Sequence, residues 1–280
     1  MQVFKHGDPP VWVEIKNRKG ITVAVLNDLH IPFHDERALN LACEILRDVQ
    51  PNLIVLNGDI VDFFAISKFD KDPRRRLELA KEIKQSRETL KKLFEKFTTV
   101  WIYIEGNHEN RLRKYIWNRA TELIGLEELE LENLLKLKEH GVLYLRQLDT
   151  PQPIDQFATP QVKVGLLYIA HGDTFRLNAN SVGVARCLFL RTFKNLLIGH
   201  WHRADKWEQM DYEGRLHGCW VVPCLCYQRP NWDTGRIWGQ GMALIEVSAS
   251  GFFRVDVVSF IKENGNLLAF VGGKEYRTRR

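Results

Sequence analysis

Five short stretches of the chain combine residues that bind metals or move protons. They are Asp28-x-His30, Gly58-Asp59-x-x-Asp62, Gly106-Asn107-His108-Glu109, His171-Gly172 and Gly199-His200-x-His202. Five of the nine histidines fall here, beside three aspartates and an asparagine. Two divalent cations held about 3.5–4 Å apart clamp a phosphoryl group and activate a water between them. Such a site needs a carboxylate able to bridge both ions. Imidazole suits the borderline transition metals, and an Asn oxygen completes a coordination sphere. Histidine-rich ligation argues against magnesium alone, which prefers oxygen ligands and keeps its waters.

What precedes each stretch is the second clue. Apolar runs at Ile21–Leu26, Leu53–Leu56, Val100–Ile104, Leu166–Ala170 and Leu196–Ile198 read as buried strands. Between the first three lie helical patterns. One opens at Asp35 as N-cap, buries Leu39, Ala42, Leu46 and Val49, and stops at Pro51; the next opens at Asp72-Pro73 and runs to about Phe97. Buried strands alternating with amphipathic helices imply parallel strands with crossover helices, an α/β architecture. In such a sheet the residues just past the carboxyl ends of the strands line a common crevice. Each motif alone is weak, since Gly-Asp after a strand is usually a turn. All five at strand ends, in this order, are not explained by chance.

The set D-x-H, G-D-x-x-D, G-N-H-E, H-G and G-H-x-H resembles the calcineurin-like metallophosphoesterase superfamily, over about residues 21–205 by motif. The resemblance implies a four-layer α/β/β/α sandwich of two mixed β-sheets. It also implies Asp28, His30 and His202 on one metal, Asn107, His171 and His200 on the other, and Asp59 bridging. The cofactors would be two divalent transition-metal ions (Mn, Fe, Zn or Ni, with Mn favoured). His108 matches the family's catalytic histidine, stabilising or protonating the leaving oxygen. Asp62 matches the acid that orients it. The nucleophile implied is a hydroxide on the metals, attacking phosphorus in line without a covalent enzyme intermediate.

Departures from the pattern bear on substrate. In phosphoprotein phosphatases of the superfamily an arginine follows the second motif, but here Asp62 is followed by Phe63 and Phe64. Arg111 matches another arginine position and is a candidate for binding substrate phosphate; a surface helix position explains it equally well. His34 reads as a loop histidine or a support for a ligand. The run Gly218-Cys219 through Cys224-Leu225-Cys226, then Pro230-Asn231-Trp232, is similar to a group of phage and prokaryotic calcineurin-like phosphoesterases. Trp201, Trp207, Trp220, Tyr227, Trp232 and Trp238 either wall the site or pack between strands.

The 280 residues, 45% hydrophobic and 27% charged, exclude a disordered or collagen-like chain. The net charge of +5 is local: Lys71–Arg76 and Lys274–Arg280 carry +3 each, leaving −1 for the rest. Five cysteines, an odd number, read as core thiols in a reducing compartment. With no apolar run near 18 residues and no apolar leader, the chain reads as cytoplasmic, with no membrane partner. We expect one metallophosphoesterase domain over 1–280, with a Glu- and Leu-rich helical insertion at about 109–141, broken near Gly125 and closed by Gly141. This insertion either packs on the body or caps the site. A further helix is expected around Ala179–Phe193, and strands at Val162–Ala170, His217–Val222, Met242–Val247 and Phe252–Val258.

The expected activity is phosphodiesterase or nuclease-like cleavage of a phosphate ester in nucleic acid or a nucleotide. The alternatives are phosphomonoesterase action on a phosphoprotein or small ester and, in another class, a non-catalytic partner-binding scaffold. The scaffold is disfavoured because every ligand position and His108 are filled. The basic tracts raise nucleic acid slightly, because each neutralised phosphate adds salt-dependent affinity.

Overall fold

Runs of Val, Ile and Leu form strands where the alternation of buried positions requires it, and amphipathic runs form the helices that cover them. The computed structural model describes residues 1–6, 12–68, 78–147, 159–175, 177, 183–228 and 238–278. In chain order the strands are β1 (Gln2–His6), β2 (Trp12–Lys16), β3 (Ile21–Leu26), β4 (Leu53–Asn57), β5 (Val100–Ile104), β6 (Leu143–Leu145), β7 (Gln161–Val164) and β8 (Leu167–Ala170). They continue as β9 (Leu196–Ile198), β10 (Asp205–Met210), β11 (Leu216–Val221), β12 (Gln240–Val247), β13 (Phe253–Glu263), β14 (Asn266–Val271) and β15 (Lys274–Arg277). The helices are α1 (Glu36–Val49), α2 (Leu79–Lys96), α3 (Asn110–Arg119), α4 (Leu131–Leu134) and α5 (Val184–Thr192).

These strands make two mixed sheets, ordered β1-β2-β7-β8-β9-β11-β10 and β15-β14-β13-β12-β3-β4-β5-β6. The parallel block β3-β4-β5-β6 lies in one, and β8-β9-β11 in the other. Three apolar clusters separate four layers. Val23, Val25, Val55, Ile102, Val162, Ile169, Leu197 and Trp220 fill the space between the sheets. Ala24, Leu26, Ile54 and Tyr103 on the opposite face meet Leu41, Ile45 and Leu46 of α1 and Leu90 and Leu93 of α2. Ile198, Cys219 and Val221 meet Val184, Ala185 and Leu188 of α5. Together these layers form the α/β/β/α sandwich expected from the motifs.

Register then sets the site. Leu26 pairs with Leu56, Asn57 with Ile104, and Ala170 with Ile198, so five strand ends finish on one rim. Asp35 caps α1 as expected, accepting from the Arg37 amide at 3.0 Å. The expected opening of the next helix at Asp72-Pro73 lies outside the described residues, as do Trp232, Lys71–Arg76 and part of the stretch before α5.

Two expectations change, and two further features were not marked in the sequence. The segment after β5 is not one broken helix: α3 ends at Arg119, and three 3-10 turns with the four-residue α4 fill the rest. Left-handed Gly125 and Lys136 interrupt it, while Leu131, Leu135 and Leu137 bury themselves beside α2. The strand expected over Val162–Ala170 is a hairpin, β7 and β8, turning at Gly165-Leu166. The basic C-terminus is ordered into a strand as far as Arg277. It is strand β15, with Lys274 paired to Asp48 and Arg277 to Glu263 at 2.6 Å. Finally, β1 and β10 are mostly exposed strands that the apolar pattern does not mark. Among the described residues no helix is long and apolar enough to cross a membrane.

Candidate metal centre

The loops leaving β3 and β4 lock to each other before any side chain is considered. The Asp28 amide donates to Gly58 O at 3.0 Å, the His30 amide to Asp59 O at 2.9 Å, and the Ile31 amide to Ile60 O at 2.8 Å. The cost is conformational: Asp28, His30, Asp59, His200 and His202 all take left-handed φ values of 50–64°. Side chains disfavour that region, and such strain collects where a site over-determines the backbone. Two motif glycines are there for space. A Cβ on Gly58 would stand 2.5 Å from the His171 ring, and one on Gly106 would stand 2.4 Å from Asp59.

Two groups of donors converge around Asp59. On one side are Asp28, His30 and His202: His202 Nε2 lies 3.0 Å from Asp28 Oδ1 and 3.2 Å from His30 Nε2. On the other, His171 Nε2 lies 3.3 Å from Asn107 Oδ1 and 3.2 Å from Asp59 Oδ2, with His200 in the same cluster. The same Asp59 Oδ2 is 4.0 Å from His30 Nε2, so it stands between the groups. The outward ring nitrogens are occupied: His30 Nδ1 bonds Asp62 Oδ2 at 2.9 Å, and His171 Nδ1 bonds Asn57 O at 2.8 Å. That arrangement fixes the tautomer and aims Nε2 inward, as a ligand histidine needs.

The electrostatics fit a cation. Asp28, Asp59 and Asp62 are at most 3% exposed. Burial alone would raise all three, but His202 holds Asp28, His108 holds Asp59, and His108 with His30 holds Asp62 below the usual carboxylate range. Burial lowers the His30 imidazole, yet hydrogen bonds with Asp28 and Asp62 push it up to about 10. His171 rises likewise through Asp59, whereas burial and the His171 charge bring His200 down to about 4. Its Nδ1 is buried without a hydrogen-bond partner. Inward nitrogens, an orphaned buried nitrogen and sequestered carboxylates are the donor set of a divalent transition metal, whose binding would displace the protons.

His108 and Arg111 border this cluster. The His108 amide donates to Asp59 Oδ1 at 2.8 Å, and its Nδ1 lies 3.1 Å from Asp62 O and 3.3 Å from Asp62 Oδ2. Asp62 therefore reaches both His108 and His30, and is closer to His30. Arg111 Nη1 donates to Asp62 O at 2.9 Å, and its Nη2 lies 2.8 Å from His108 Nε2. A guanidinium only donates, so His108 here carries its proton on Nδ1. A cavity of about 440 Å³ opens over His30, Asp59, His108, His200 and His202.

Several residues outside the expected ligand set also build the site. Glu109, 2% exposed, accepts from the amides of Asp59 (3.0 Å), Gly106 (2.9 Å), Ile60 (2.7 Å) and Val61 (3.1 Å) and from the Tyr103 hydroxyl (2.8 Å). It clasps the β4 loop to the β5 loop. Glu82 of α2 accepts from the Phe64 and Ala65 amides and so steadies the turn after Asp62; burial pushes its carboxyl up to about 7. Cys226 is buried with its Sγ within 4.8 Å of ring nitrogens of His30 and His202. Trp238 packs edge-on against His202 at 4.0 Å and walls the cavity. Trp220, by contrast, is inter-sheet core, and Trp207 packs on Phe189. His34 faces a separate cavity beside Glu36 and Cys43.

A model of the family described as calcineurin-like phosphoesterase matches residues 21–218. The chain is 26% identical over 210 residues to the Gene 54 protein of Mycobacterium phage L5, covering 71% of this chain and 76% of that protein. It is 27% identical over 190 residues to the Gene 54 protein of Mycobacterium phage D29, covering 65% and 69%. Among solved structures, Vps29 of Chaetomium thermophilum aligns over 94% of this chain and 100% of its own, with 13% identity and a TM-score of 0.45. The E. coli phosphoesterase YfcE aligns over 84% and 98%, with 16% identity and a TM-score of 0.34.

Proposed function

The chain belongs to the calcineurin-like phosphoesterase family, and from that premise we propose that it is a two-metal phosphodiesterase acting on nucleic acid or a nucleotide. The observation that carries this reading is the pair of buried donor groups on either side of the single oxygen Asp59 Oδ2. Asp28, His30 and His202 would hold one ion, Asn107, His171 and His200 the other, with Asp59 shared. Manganese is the favoured ion for this mixture of imidazole, carboxylate and amide oxygen. When bound, a pair of divalent ions neutralises phosphoryl charge and supplies a nucleophile at neutral pH.

The chain's own residues account for the rest. Asp62 orients His30 through Nδ1 and steadies His108 from the other side. His108 stands at the rim, 3.7 Å from Asp59 Oδ2, positioned to hold a proton for the leaving oxygen. For that role Nε2 must carry the proton, so Arg111 must leave His108 and turn its fork onto the substrate's phosphate. Glu109 and Glu82 keep the two loops from relaxing. Trp238 narrows the mouth and excludes water from one side.

The test compares a bis(aryl) phosphodiester, an aryl phosphomonoester and labelled DNA strands as substrates with Mn²⁺. Diester and strand cleavage are expected, with monoester hydrolysis slower. Monoester hydrolysis alone would move the assignment to a phosphomonoesterase. Absence of any turnover in a metal-loaded protein would move it to a binding role.

A further inference from the structure

Beside the metal centre lies a second, larger cavity of about 830 Å³. It shares Ser67 and Arg111 with the cavity over the ligands, so the two adjoin at these residues. Its wall is one face of α3: Arg111, Lys114, Tyr115, Asn118 and Arg119 follow the i, i+3, i+4, i+7, i+8 spacing of a helical stripe. Lys68 faces them from the turn after Asp62. Among the described residues that line it, four are cations and none is a carboxylate. Lys114, Tyr115 and Arg119 are exposed, Tyr115 at 44%. Among the described residues, Lys114 and Arg119 form no ion pair; burial raises the Asp173 carboxyl, and Lys114 opposes that only weakly. Some surface cations elsewhere are paired with acids, as at Lys81–Glu78, Arg277–Glu263 and Lys274–Asp48. The four cations therefore lie together along a wall that borders the ligand cluster.

We propose that this groove is the binding track for a single nucleic-acid strand whose scissile phosphodiester lies at the metal centre. Arg111 grips the phosphate nearest the ions, Lys114 and Arg119 hold those that follow, and Tyr115 stacks against a base between them. From Arg111 to Arg119 the helix rises about 12 Å, the axial reach of roughly three phosphates in one strand. A cationic track with an exposed aromatic ring is how single strands are held without sequence preference. An acidic or phosphorylated peptide would use the cations but leave Tyr115 without a role. The proposal deepens the phosphodiesterase reading and rests on it for the position of the scissile bond.

Binding and turnover are measured separately. The binding probe is a fluorescent phosphorothioate oligonucleotide, followed by anisotropy with the metal-loaded protein across salt concentrations. Each phosphate contact on a single strand contributes about 0.7 to the slope of log affinity against log salt. The double variant Lys114→Gln/Arg119→Gln therefore lowers the slope by about 1.4. Its affinity deficit is near nil at 1 M salt and roughly 25-fold at 0.1 M. Tyr115→Ala weakens strand binding roughly tenfold without changing the slope, and leaves binding of an abasic strand of equal charge unaltered. An unchanged slope in the double variant overturns the proposal, and so does tighter binding of a phosphopeptide of equal charge. Hydrolysis of the bis(aryl) diester by the parent protein reports the metal centre independently. If it fails, the phosphodiesterase reading falls, while the anisotropy results alone still judge the groove.

Discussion

Replacing Glu109 by Gln probes how the site is held together, because its five hydrogen bonds are all accepted and all buried. One oxygen takes the amides of Asp59 and Gly106; the other takes the amides of Ile60 and Val61 and the Tyr103 hydroxyl. A carboxamide must turn its NH₂ toward one of these sets. The less damaging orientation faces it to Asp59 and Gly106, and two buried N–H groups lose their acceptor. At about 1–3 kcal/mol for each orphaned donor the loss centres near 4 kcal/mol. Against it stands a relief, since burial and the charge of Asp59 hold the Glu109 carboxyl above its usual range. The net expectation is a destabilisation of about 3 kcal/mol, or about 6 °C in Tm for a chain of this size. The same two amides fix Asp59 in its left-handed conformation, so metal affinity falls with stability. Differential scanning calorimetry of the metal-free protein, with metal content measured after dialysis, reads both effects. A Tm within about 1 °C of the parent and full metal retention would refute the reasoning.

Other outcomes follow from single contacts. Gly58→Ala puts a methyl 2.5 Å from the His171 ring on a backbone with φ of 80°; it costs about 3 kcal/mol and releases metal, read by thermal melting and metal analysis. The Glu82 carboxyl, at about 7 in the fold against 4.5 unfolded, binds a proton more tightly when folded, so its contribution to stability is full below pH 4.5 and is lost as pH rises toward 7. Glu82→Gln removes that loss, on the order of 3 kcal/mol; the Tm gap between parent and variant should move in the variant's favour from pH 5 to pH 8, and a constant gap would contradict the assignment. His108→Ala lowers kcat for the diester about 10²–10⁴-fold with metal content unchanged, checked by kinetics and elemental analysis on the same sample.

What was legible in the sequence is what repeats or what chemistry requires. The strands β3, β4, β5, β8 and β9 carry apolar runs, and the residues after them are types that have few other reasons to follow a buried strand. The residues that tie these loops together were not legible. Glu109 sits inside a recognised motif, yet its clasp depends on amides from Asp59 to Val61 that only the tertiary structure brings to it. Glu82, eighteen residues from its partner Phe64, is one glutamate among several on an amphipathic helix. The hairpin of β14 and β15 was hidden because Lys274–Arg277 has the composition of a solvated tail; its ladder and the acids Asp48 and Glu263 make it a strand. The insertion misled for the opposite reason. Its leucines suggest a helix, but left-handed Gly125 and Lys136 cut it into turns and leave Ile124 and Leu126 exposed. The overall +5 has also narrowed in meaning, with the cations that border the site concentrated on α3 and at Lys68.

The central claim is that two ions share Asp59. Electron paramagnetic resonance of the Mn²⁺-loaded protein, together with its metal stoichiometry, tests it most directly. Two ions per chain with the signature of an exchange-coupled pair are expected, and for Asp59→Asn the loss of that coupling with at most one ion retained. A parent protein that takes up less than one Mn²⁺ per chain, or an Asp59→Asn variant that keeps two coupled ions, would contradict it.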